Sequence, residues 1–146
     1  MTLENWYNNK WIKQEKSSKA EINTLCLKIE RDIKDSLNKD ISLDWRLAMA
    51  YSALLSCSTI ALRIFEYRVS EGANSHYYSI QSLRFTMKIP QEEISFLDSI
   101  RKKRHMVSYD SVGTTSEKEV TEIIQFAQEL YKKTISWIKK TYPEYL

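Results

Sequence analysis

Apolar residues recur along this chain at three- and four-residue steps, the spacing that gathers them on one face of an α-helix. Leu3, Trp6, Tyr7 and Trp11 predict a short opening helix from Thr2 to about Glu15, weakened by Asn8 and Asn9. Ser18, with Glu21 three residues on, reads as a capping box, and Ile22, Leu25, Cys26, Ile29, Ile33 and Leu37 mark a helix to about Asn38. From an N-cap at Ser42, the positions Leu43, Leu47, Ala50, Tyr51, Leu54, Ala61, Ile64 and Phe65 trace a central helix to about Val69. Its small residues Ala48, Ala53, Ser56 and Ser58 suit close helix approach. Gly72 centres a loop, after which Ser75 is placed to cap a helix to about Met87. Pro90 opens the next helix, which closes before a linker over 110–115. Ser116 and Glu119 form a second capping box, and the apolar face from Val120 through Ile138 carries the last helix to Lys140.

Composition agrees with that pattern. The chain of 146 residues holds 2 Gly and 2 Pro, all four at element boundaries, so the expected fold is an all-α, mostly antiparallel bundle of five to six helices in a single domain, 1–146. A hydrophobic fraction of 42% and a charged fraction of 28% are those of a soluble protein. No apolar run approaching the ~18 residues of a membrane span is expected. The opening MTLENWYNNK lacks the basic lead and apolar core of a signal peptide, which favours a cytoplasmic protein without a membrane role. Cys26 and Cys57 stand apart from each other and from histidine, so they read as buried thiols and no metal or other cofactor is expected. The net charge of +3 permits contact with nucleic acid without demanding it. No glycine-rich loop, metal-ligand cluster or nucleophile elbow is present, and Glu92, Glu93, Glu117 and Glu119 sit at helix starts, where capping explains them.

Candidate chemistry concentrates in RKKRHMVSYD, residues 101 to 110. Ile94, Leu97, Ile100 and Val107 form the apolar stripe of their helix, and Arg104 falls on it, about 20° from Leu97 at about 100° per residue. A guanidinium there is paired to a carboxylate, packed with only its stem inside, or lining a site that meets an anion. His105 lies on the rim, with Arg101, Lys102 and Lys103 adding positive charge. His76, beside Tyr77 and Tyr78 at another helix start, reads as a capping or surface residue unless its helix end faces Arg104.

Trp45 and Arg46, Ala50 and Tyr51, Tyr67 and Arg68, His76 and Tyr77, Ile80 with Ser82 and Leu83, RKKR at 101–104 with Tyr109 and Asp110, and Trp137 before Pro143 make a pattern that resembles small bacterial proteins of the HEPN superfamily. The resemblance covers about residues 42–143, leaving 1–38 as accessory helices. It implies a four-helix core, a homodimer formed through the Arg-motif helices, and, in active members, metal-independent RNA cleavage. In such members an Arg holds the phosphate and a His four to six residues later assists attack by the ribose 2′-hydroxyl. Arg104 and His105 match the first two motif positions, and Tyr109 stands where the final His belongs. The resemblance therefore assigns Arg104, His105 and Tyr109 as catalytic candidates and Arg101, Lys102, Lys103 and His76 as RNA- and phosphate-binding candidates. Tyrosine is a poor general base near neutral pH, so two readings stand open beside that of an unrelated helical interaction protein. One is a ribonuclease toxin of a toxin–antitoxin or phage-defence system; the other is a dimeric binding module for RNA or a nucleotidyltransferase partner. The resemblance implies that such a partner modifies a tyrosine beside the Arg motif; Tyr109 has that position, and a packing tyrosine at a helix end is the other reading of it.

Overall fold

The computed structural model describes residues 1–109 and 112–146, and the elements run α1 (Leu3–Asn8), β1 (Ile12–Gln14), α2 (Lys19–Ser36), α3 (Leu43–Ile64), β2 (Tyr67–Val69), α4 (Ser75–Gln81), α5 (Leu83–Thr86), α6 (Gln91–Tyr109), α7 (Glu117–Thr141) and a 3-10 turn at Pro143–Tyr145. This is an all-α helical bundle with one small two-stranded sheet. Asp110, part of the family pattern, and Ser111 lie outside the described residues.

Helix α3 is the axis of the bundle. Ser42 starts it by accepting a hydrogen bond from the Trp45 amide, and Leu47, Ala50, Leu54, Cys57, Ile60 and Ala61 bury its sides. Ile22, Cys26 and Ile29 of α2, Ile94, Leu97 and Ile100 of α6, and Val120, Ile124, Ala127 and Leu130 of α7 close one core around it. Contrary to the sequence reading, the helix Leu43–Ile64 is by length and composition alone apolar enough to cross a membrane, since an 18-residue stretch of it has a mean hydropathy of 1.5, yet 72% of that stretch is buried by neighbouring elements. Its apolar character is that of a helix covered on most sides rather than on one stripe.

Five further expectations need correction. The central helix does not reach Val69: it stops at Ile64, and Glu66, at φ 61, turns the chain into β2. The opening helix likewise stops at Asn8, Lys10 takes φ 65, and β1 pairs antiparallel with β2 in the register Ile12↔Val69, Lys13↔Arg68 and Gln14↔Tyr67. Between Ser75 and Met87 there are two short helices rather than one. The Ser82 hydroxyl donates back to the Ser79 carbonyl at 2.6 Å, and no side chain caps α4, whose N-cap is Asn74. At α2 only half of the capping box forms: Ser18 accepts from the Glu21 amide, while the Glu21 carboxylate is engaged by Arg63. The box at Ser116 and Glu119 is complete.

Two arrangements hold α4 where the site needs it. The Trp6 ring packs edge-on against Trp11, Tyr78 and Phe85 at 5.9, 5.4 and 5.3 Å, and Trp11 stacks on Tyr78 at 5.1 Å, so the opening segment docks on α4 and α5. Beside it Arg63, 2% exposed, bonds both Glu21 oxygens (2.9 and 3.1 Å) and the carbonyls of Glu15 (2.9 Å), Lys16 (2.7 Å) and Tyr67 (3.3 Å). One buried cation thereby fastens β1, the start of α2 and β2 to the end of α3.

Candidate functional site

The stripe Ile94, Leu97, Ile100 and Val107 is buried as its spacing requires, and it fixes the roll of α6 so that Arg101, Arg104 and His105 share the side facing α3 and α4. There they meet Tyr51 of α3, Ala73 of the preceding loop, and Ser75 and His76 of α4 around a cavity of about 180 Å³. That is below the roughly 300 Å³ of sites for drug-sized ligands, and suits a group the size of one phosphate.

Arg104 is the anomaly of this site. Among the described residues, Arg31, Arg46, Arg63, Arg68, Arg84 and Arg101 each have an acceptor: Asp32, the Ser36 carbonyl, Glu21, Glu15, Gln91 and Asp98. The Arg104 guanidinium has none. Its Nε is enclosed and makes no hydrogen bond, and its Cζ lies 6.0 Å from the centre of the Tyr51 ring. Of the three explanations open to an arginine on this stripe, pairing with an internal carboxylate is therefore not the one adopted. An enclosed charged donor without an acceptor costs free energy that an arriving anion would return.

The other candidates divide by position. Arg101 is half-buried, with Nε held by Asp98 Oδ1 at 2.7 Å and its guanidinium 5.7 Å from the centre of the Tyr77 ring. His76 lines the cavity, and its Nδ1 is 3.0 Å from the Tyr51 hydroxyl. Burial first, and the charges of Arg104 and Arg101 next, hold its imidazole below the ordinary value, so it is neutral at pH 7. Burial pushes the Tyr51 phenol up to about 12 against the pull of the same arginines, so it stays protonated. His105 is at the exposed rim, its ring 4.8 Å from that of Tyr109. Tyr109 lies a helical turn beyond the cavity and is 70% exposed. Lys102 is exposed, 3.6 Å from Asp98, and Lys103 points to α7, 3.6 Å from Glu119. The structure thus brings Arg101, Arg104, His105 and His76 together and leaves Lys102, Lys103 and Tyr109 outside. Tyr51 is a lining residue that helical periodicity reads only as core; its hydroxyl, buried beside a histidine 25 residues away, carries no local signal.

Chemically, two guanidinium groups and two imidazoles around a small open cavity can hold a phosphate and move a proton beside it. Among the described residues no group of His, Cys, Asp and Glu could hold a metal ion. A proton-NMR titration checks the electrostatics. The His76 midpoint is expected below 6.5 in the free protein and should rise when pyrophosphate is added, because the anion offsets the two arginines. An unmoved midpoint would mean that the anion does not enter. Compared with known protein families, characterised proteins and solved structures, the chain matches none.

Proposed function

We propose that this chain is a HEPN-like, cytoplasmic RNA-interacting protein whose cavity between α3, α4 and α6 binds a backbone phosphate. The observation that carries this reading is the unpartnered guanidinium of Arg104, with its enclosed Nε, beside Arg101 in a phosphate-sized cavity. In the catalytic form of the proposal Arg104 stabilises charge developing on the phosphate. An imidazole, His105 at the rim or His76 on the wall, takes the proton of the ribose 2′-hydroxyl as its oxygen attacks the phosphorus, and the displaced 5′-oxygen leaves with a proton from the imidazolium or water, giving metal-independent cleavage of the type used by toxins and phage-defence nucleases. A homodimer that places two such cavities side by side, and a nucleotidyltransferase acting on Tyr109, belong to the same proposal. One observation favours the alternative of a non-catalytic binding module. Tyr109, at the position of the motif's final His, is 70% exposed and does not line the cavity of its own chain, so a base at that position reaches a bound phosphate only where two protomers meet.

Cleavage assays separate the two. A nuclease should cut single-stranded RNA in EDTA, leave 2′,3′-cyclic phosphate ends, and lose activity in both Arg104→Ala and His105→Ala. Tyr109→His should raise the rate by roughly 10² to 10⁴, the contribution of a positioned acid or base. Cleavage by Tyr109→His alone would identify a nuclease scaffold that has lost its base. No cleavage by either protein, with RNA binding that depends on Arg104, selects the module.

A further inference from the structure

We infer that the larger cavity behind His76, bounded by α2, α3, β2 and α4, receives the nucleoside attached to the phosphate held by Arg101 and Arg104. This inference rests on the phosphate reading above and extends it to a base-binding subsite. The cavity measures about 610 Å³, within the range of small-molecule sites, and Ser75 and His76 line both it and the arginine cavity.

Helix α3 runs along both spaces. Tyr51, which lines the arginine cavity, is followed along one face by Leu55 and Thr59, at one and two turns, and then by Leu62, which line the larger one. At a rise of about 1.5 Å per residue, Thr59 lies about 12 Å along the helix from Tyr51, a span that a nucleoside phosphate can bridge.

The chemistry changes along that span. At the Tyr51 end the cavity offers Arg101, Arg104 and two imidazoles. At the Thr59 end the floor is Leu25, Leu55, Leu62 and Val69, and the charged groups cancel, since Arg63 bonds Glu21 and Arg68 is 2.7 Å from Glu15 and 3.7 Å from Glu21. Among the described residues a second phosphate has no free cation to meet there, whereas a flat uncharged ring finds apolar surface. The hydroxyls favour a base with an exocyclic amino group. Thr24 and Thr59 donate their protons to the carbonyls of Ala20 (2.9 Å) and Leu55 (3.0 Å), which leaves lone pairs as what they can offer a ligand.

The test compares adenosine 5′-monophosphate with ribose 5-phosphate, which carries the same charge and lacks the base, by isothermal titration calorimetry on the full chain. The nucleotide should bind roughly tenfold tighter, the size of one well-buried base contact, and should shift the methyl resonances of Leu25 and Leu55. Thr59→Trp, which fills the cavity from α3, should erase that advantage while ribose 5-phosphate binds as before. Thr24→Phe fills it from α2 and gives the same check should the first variant fold poorly. Equal affinity of the two compounds for the wild type, or an advantage that survives both filled variants, overturns the inference and leaves the phosphate reading intact. Binding of neither compound overturns both.

Discussion

Replacing Arg104 by methionine should cost roughly 10- to 100-fold in affinity for single-stranded RNA, while leaving thermal stability unchanged or slightly higher. The expected loss is that of a charge-assisted hydrogen bond to a phosphate, about 1.5–3 kcal/mol. Stability should not fall because the guanidinium has no acceptor in the described structure, its Nε is already enclosed without a bond, and methionine keeps most of the stem packing. Arg104→Lys should recover only part of the affinity, since an ammonium keeps the charge and loses the planar fork. Lys102→Ala should also weaken RNA, mainly by reducing the salt dependence, because that side chain is exposed beside the site and forms none of its wall. Fluorescence anisotropy over a salt series, with thermal melts of the same proteins, checks all three. A large drop in melting temperature for Arg104→Met would mean that the residue is part of the scaffold.

Arg63→Ala should do the opposite, lowering stability by about 3–5 kcal/mol through the loss of a buried ionic hub. Its removal leaves Glu21 and the carbonyls of Glu15, Lys16 and Tyr67 without their donor, and it unfastens β1 and α2 from α3. In a chain of this size the loss corresponds to a melting temperature lower by about 10 °C. The hub should also be sensitive to acid. The Arg63 hydrogen bond holds the Glu21 carboxyl below its ordinary value of 4.5, so its stabilisation is complete above that pH and is lost as the pH falls through the lower value of the folded state. Urea denaturation at neutral and acid pH measures this: the wild type and Arg63→Ala should converge in stability as the pH falls. Because the same elements position α4, the variant should also bind RNA more weakly when it is folded, and a variant that binds normally would separate the hub from the site.

How much of this was legible in the sequence depended on how local the cause was. The roll of α6 was legible because Ile94, Leu97, Ile100 and Val107 repeat the helical period, and that period alone put Arg104 where a core residue belongs. The complete capping box at Ser116 and Glu119 was legible for the same reason: both partners lie within one turn. What stayed hidden involved distant partners. Tyr67 and Val69 continue an apolar pattern begun on the central helix, and only pairing with Ile12 and Gln14, more than fifty residues earlier, shows that they are a strand. Glu21 satisfied a capping rule on paper, yet its carboxylate went to Arg63, 42 residues away. The candidate site was legible by half. Arg101, Arg104 and His105 belong together on any helix, whereas the placement of His76 opposite them rests on Trp6, Trp11 and Tyr78, whose packing has no sequence signature.

Whether the guanidinium of Arg104 binds a phosphate, as we propose, is read directly from the Nε–Hε resonance of that residue in an ¹⁵N-labelled sample. In the free protein the resonance should have the shift of a donor without an acceptor. On addition of pyrophosphate or a short single-stranded RNA it should move and exchange more slowly with water, together with the resonances of Arg101 and His76. An Arg104 resonance that stays in place at saturation, while signals elsewhere on the surface move, would contradict the claim.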